Sequence, residues 1–139
     1  MISKLAEFVS GCPYLQCRTV GVNCLEKSYG SVSVEMTKNK RTIREYADGG
    51  ALKMFTFVIA LREAFAVGNT ESRRIAEKCS LVEKWIEEQN INGFLPKLDG
   101  EVETVSIGVS KCFELVHTDG ISARYAAEIE VAYYEELKT

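Results

Sequence analysis

The chain has 139 residues, 46% hydrophobic and 27% charged, with 17 basic and 20 acidic side chains and a net charge of −3. That length holds one domain with one modest core, and the composition is that of a globular chain, which excludes disordered and fibrous classes. Basic and acidic residues are mixed along the sequence, against nucleic-acid recognition through a clustered basic surface, and no apolar run approaches a membrane span.

The chain is therefore expected to stay in the cytoplasm where it is made. Its five cysteines, Cys12, Cys17, Cys24, Cys79 and Cys112, are an odd number without a secretion signal, so reduced thiols are expected in place of a disulfide framework.

Ile2, Leu5, Ala6 and Val9 fall on one helical stripe, and Gly11 with Pro13 supplies the stop. Residues 14–30 have no decisive period, although Cys17, Val20, Val22 and Leu25 suit a short or irregular strand. Val32, Val34 and Met36 alternate with Ser33, Glu35 and Thr37. The run Lys38-Asn39-Lys40 is then expected to turn the chain back into residues 42–46, placing Lys38, Lys40, Arg41 and Arg44 at a solvated hairpin tip. Asp48-Gly49-Gly50 breaks that strand.

Residues 52–62 follow, with Phe55, Phe57, Ile59 and Leu61 on one face and Met54, Val58 and Ala60 on the other. Two-sided apolarity predicts a central strand covered on both faces, with the helix after it as the candidate second cover. From residue 70 to 90, Ile75, Cys79, Val82 and Ile86, flanked by Ala76 and Trp85, form a helical stripe. Glu71, Arg73, Arg74, Lys78, Glu83 and Glu87 are expected to point outward. Trp85 and Ile86 are expected to dock this helix on the face carrying Phe55 or Phe57.

Gly93 and Pro96 end the helix, and 93–100 reads as a loop. Val105, Ile107, Val109, Phe113 and Leu115 predict a long strand with a bulge near Gly108, paired through the Asp119-Gly120 turn with a final strand over 121–134. In that strand Ile121, Ala123, Tyr125, Ala127, Ile129, Val131 and Tyr133 share one parity; Ser122, Arg124, Glu128 and Glu130 share the other. The sum, over residues 1–139, is a single α+β domain with a mainly antiparallel β-sheet and helices packed on one face.

No set of residues reads as a catalytic, cofactor or metal site. His117 sits at a predicted turn, and Cys112, five residues earlier, falls on the opposite face of a regular strand. Cys12, Cys17 and Cys24, at spacings of five and seven, lack the close pairs of zinc sites. Asp48-Gly49-Gly50 and Asp119-Gly120 are turn chemistry, lacking the strand and helix context of phosphate loops. The pairs Glu87-Glu88, Glu101/Glu103 and Glu135-Glu136 are read as solvated. Tyr125, Tyr133, Tyr134, Phe55 and Phe57 are read as core. An interaction or assembly protein, with no enzymatic role, is the reading that remains.

Three segments carry a family resemblance: Thr118-Asp119-Gly120-Ile121-Ser122-Ala123-Arg124-Tyr125; Tyr46-Ala47-Asp48-Gly49-Gly50-Ala51-Leu52 followed by Phe55-Thr56-Phe57; and Trp85-Ile86-Glu87-Glu88-Gln89-Asn90 ahead of Leu95-Pro96. In order and spacing they resemble the minor capsid or tail-terminator (tail-completion) family of tailed bacteriophages and prophages of Gram-positive bacteria. The resemblance covers about residues 40–137, leaving out the cysteine-bearing stretch 12–30. It implies a small α+β domain that caps the growing tail tube as a homohexameric ring, ends its polymerisation and joins the tail to the head and neck.

The implied partners are other copies of the chain, the tail-tube protein and a head-completion or neck protein. No cofactor is implied, and the location is the host bacterial cytoplasm during assembly, then the virion tail. Arg124, Glu128 and Glu130, on the outward parity of the final strand, are the candidate protomer-interface residues, facing water or a neighbouring protomer. The alternatives are another head-to-tail joining or minor capsid protein, a small cytoplasmic enzyme built on Cys112 and His117, and a host binding module.

Overall fold

The computed structural model describes residues 2–15, 20–25, 29–64, 69–98, 100 and 102–136. In chain order these form α1 (Ile2–Ser10), β1 (Val20–Val22), β2 (Val32–Glu45), β3 (Ala51–Ala64), α2 (Asn69–Asn92), β4 (Val102–Thr118) and β5 (Ser122–Glu135). The strands make one sheet in the order β1-β2-β3-β5-β4, antiparallel except for the short β1–β2 pair. None of its helices is long and apolar enough to cross a membrane among the described residues.

The predicted stripes become the core. Leu5 and Val9 of α1, with Ile75, Cys79, Val82 and Ile86 of α2, are buried against Phe55, Phe57, Ile59, Leu61, Ile107, Ile129 and Val131 of the sheet. Each such aliphatic or aromatic side chain contributes about 1.5–3 kcal/mol on full burial, so this face supplies most of the drive to fold. Both helices lie on this one side, and the Phe8 and Trp85 rings join them with centroids 5.1 Å apart. The architecture is the expected α+β domain.

Four expectations need correction. Lys38-Asn39-Lys40 does not turn the chain: β2 runs straight through it, and the reversal into β3 falls at residues 46–50. The local chemistry explains the choice. Asp48 accepts the Gly50 N–H at 2.9 Å and Gly49 takes φ 90°, two turn devices that Lys38-Asn39-Lys40 lacks. The polar run is absorbed as a bulge, since β2 has three residues between Met36 and Lys40 where β3 has only Thr56. Thr37 pins it, its hydroxyl donating to the Thr56 carbonyl at 2.8 Å and accepting the Asn39 N–H at 3.2 Å.

Among the described residues the second face of β3 carries no helix, because α2 packs beside α1 on the first. Trp85 leans on Phe8 of α1 and packs half-buried against the core, while Ile86 is fully buried in it. In β4, Gly108 pairs in register with Glu130, and the irregularities flank it, between Thr104 and Ser106 and between Val109 and Lys111, with two more toward Leu115 and His117. Ile121 is 73% exposed, since it belongs to the turn and β5 begins one residue later.

Candidate interaction surface

The helix-free face of the sheet is built by the alternate residues of β2, β3, β5 and β4. Strand registers set Arg124 beside Arg62 and Glu35 beside Val58, with Ala60 between them on β3. The Arg124 guanidinium donates two hydrogen bonds across that gap, Nη1 to Glu35 Oε2 at 2.8 Å and Nη2 to Oε1 at 2.5 Å. Ala60 is fully buried at the crossing, where a larger side chain would obstruct the fork.

The hydrogen bond to Glu35 raises the Arg124 pKa, with burial opposing it. Such two-pronged pairs are geometrically specific as well as charge-assisted. Side-chain exposures of 27% and 24% leave the pair accessible at the surface. Arg124 was expected to face water or a neighbouring protomer; within the chain it is already held by Glu35. Arg62 donates to Ser122 Oγ at 3.3 Å on the same side.

Glu128 and Glu130 share this face with Arg124, as their common parity requires. Both are half-buried. Glu130 stands opposite Thr56 and closes one side of an open cleft of about 350 Å³, whose other walls are Lys38, Asn39, Lys40, Arg41, Met54 and Thr56. The bulge of β2 thus brings Lys38 and Arg41 to the rim of this face, whereas Lys40 sets its ammonium over the Tyr133 ring, 5.9 Å from its centre.

The two edges of the sheet differ. Along β4, side chains of α2 accept the strand's backbone N–H groups: Asn90 Oδ1 from Ile107 at 3.0 Å, Glu87 Oε1 from Val109 at 3.0 Å and Glu83 Oε2 from Phe113 at 2.7 Å. Glu83 and Glu87 were expected to point outward into solvent; they close an edge that would otherwise invite pairing. Lys78 and Arg74, also expected to face outward, reach the buried Glu63 of β3 at 2.5 and 3.7 Å.

On the far side, β1 covers β2 only from Val32 to Val34, and Asn23 extends the cover by accepting the Met36 N–H at 3.0 Å. Past that point, residues 38–45 are exposed throughout, and no described strand pairs with their outer side.

Neither thiol near a candidate site is tuned toward a thiolate. Burial pushes Cys79 up to about 11, and the neighbouring charge of Glu83 raises the exposed Cys112. His117 is exposed and stands opposite Arg124 in the β4–β5 register. Cys17, Glu101 and the side chain of Glu71 lie outside the described residues.

Sequence reasoning missed Glu35, Glu63 and Asn90. Glu35 had only its strand parity as a signal, and Asn90 the helical spacing it shares with Glu83 and Glu87. No protein-family model matches this chain, and no curated protein matches it closely enough to count as a relative.

Proposed function

We propose that this chain is a structural phage assembly protein of the tail-terminator type, which caps the tail tube as a ring of about six copies and joins the tail to the neck. The observation that supports this reading best is the division of the sheet, folded from one side by two helices and left free of them on the other. A domain built that way has a broad, partly polar face to offer other proteins, and interfaces outside obligate dimers are of such mixed polarity.

The resemblance of the three quoted segments supplies the partner class: copies of the chain, tail-tube protein and neck protein. Arg124, Glu128 and Glu130 lie together on the free face, and the protomer contact is assigned there. A head-to-tail contact between copies closes a ring when its rotation allows. The raised Cys79 and Cys112 thiols fit a chain without nucleophilic chemistry.

The test is mass and shape in the presence of tail-tube protein. Light scattering and electron microscopy should find a ring near 6 × 15.5 kDa, about 93 kDa, on tube ends. A lone 15.5 kDa species with tube protein present overturns the proposal. The double variant Cys112→Ser/His117→Asn should assemble as the parent does, and loss of assembly in a folded variant would favour a site at those residues.

A further inference from the structure

The outer edge of β2 over residues 38–45 is exposed and has no strand partner among the described residues. Two neighbouring stretches of sheet edge are closed by specific devices. β1 and Asn23 cover β2 as far as Met36, and Glu83, Glu87 and Asn90 close β4 between Ile107 and Phe113. The open stretch reads Lys38-Asn39-Lys40-Arg41-Thr42-Ile43-Arg44-Glu45, four cations and one carboxylate on a chain whose net charge is −3. Ile43, at the second register shift of β2, is 46% exposed among them, and Tyr46, 40% exposed, follows at the end.

We infer that this edge takes an extended acidic segment of a different polypeptide as an added strand, with main-chain hydrogen bonds giving the pairing and Lys38, Lys40, Arg41 and Arg44 reading its carboxylates. Strand addition to a free edge is a standard mode of peptide capture, in which backbone bonds give affinity and alternate side chains give selectivity. A second copy is a poor occupant on two counts. Pairing β2 with another β2 brings together two stretches that each carry four cations and one carboxylate, and such an excess of like charge across a strand pair is destabilising. The opposite edge of the sheet is occupied by its own helix along the middle of β4, between Ile107 and Phe113. The same cations that keep copies of β2 apart therefore select an acidic strand. This inference rests on the edge alone, so it and the tail-terminator reading fail separately.

The experiment uses the full chain and a fluorescent synthetic peptide of about ten residues alternating Glu with Val and Thr. Three controls accompany it: the same peptide with Lys for Glu, the same peptide methylated on alternate backbone nitrogens, and a single-stranded oligonucleotide of equal charge. The acidic peptide should bind saturably and protect backbone amides in 38–45 from hydrogen exchange. Methylation, which keeps every charge, and the variant Lys38→Glu/Arg41→Glu should each weaken binding roughly tenfold or more.

The methylated peptide needs no altered protein, so misfolding of the variant would not obscure the result. Equal binding of the methylated peptide overturns strand addition. An oligonucleotide that binds as tightly as the peptide makes the edge a general polyanion surface and overturns the stated occupant. So does a concentration-dependent dimer that Lys38→Glu/Arg41→Glu abolishes, and absence of peptide binding overturns the inference outright.

Discussion

The same central strands show two different solutions to burial. Under the helices, Phe57, Ile59, Ile129 and Val131 lose all contact with water to apolar neighbours contributed by α1 and α2. On the other side, Ala60 is just as buried, yet it lies between Ser33 and Ala126 in register, with the Arg124–Glu35 pair bridging the strands diagonally past it. The first solution scales with area and is strong. The second depends on geometry, contributes little to stability, and leaves polar groups where another protein can reach them.

If that contrast is right, truncation should cost most under the helices. Phe57→Ala is expected to destabilise by about 3–5 kcal/mol, a large part of the roughly 5–15 kcal/mol of an ordinary domain. Trp85→Ala removes a half-buried ring whose one aromatic partner is Phe8, and should cost clearly less, about 1–2 kcal/mol. Urea titrations followed by circular dichroism check both. Equal losses would mean that the joint between the helices is as central to the fold as the sheet face.

The helix-free face should respond weakly and in pairs. A double-mutant cycle with Arg124→Ala and Glu35→Gln is expected to give a coupling of about 1 kcal/mol, the upper range for accessible ion pairs, because the fork is two-pronged and partly buried. Arg124→Glu sets a carboxylate against Glu35, and the swap Arg124→Glu/Glu35→Arg should recover the lost stability. That swap also sharpens the assembly question. If rings form again with it, Arg124 acts only through Glu35; if the monomer recovers and rings do not, Arg124 itself touches the neighbouring protomer.

Local periodicity made much of the fold legible. Ile75, Cys79, Val82 and Ile86 can share a face only on a helix, and the parity of 123–133 only on a strand, and both burial patterns match. What escaped was decided at long range. Glu35 and Arg124 lie 89 residues apart, and nothing in either neighbourhood announces the other. The insertion of β5 between β3 and β4 is likewise silent in sequence, and two-sided apolarity in β3 suggested a second helix layer where Met54 and Val58 stay half-buried and Ala60 is fully buried.

The misplaced hairpin has a different origin. Lys38-Asn39-Lys40 has the polarity of a loop, but a strand exposed along its outer half can carry such a run, and a tight reversal needs positive φ, which Gly49 supplies. Glu83 and Glu87 follow the same lesson, since a carboxylate on a helix exterior reads as solvated until an edge strand is known to lie beside it.

The smallest effect belongs to the turn that joins β4 to β5, outside both faces. Asp119 Oδ1 accepts the N–H groups of Ser122 at 2.7 Å and Ile121 at 2.9 Å, while Gly120 takes φ 89°. The backbone donors, Ser122 first, hold its carboxyl below the ordinary value of 3.8. A folded-state pKa that is depressed contributes stability above the unfolded value and loses it as pH falls through the folded one. Asp119→Asn keeps an acceptor in place but removes the charge. The variant should therefore unfold at slightly lower urea than the parent at neutral pH, and the two midpoints should converge in acid, below about pH 3.8. A gap that stays constant across that range would assign the turn's stability to backbone geometry around Gly120 and not to the Asp119 charge.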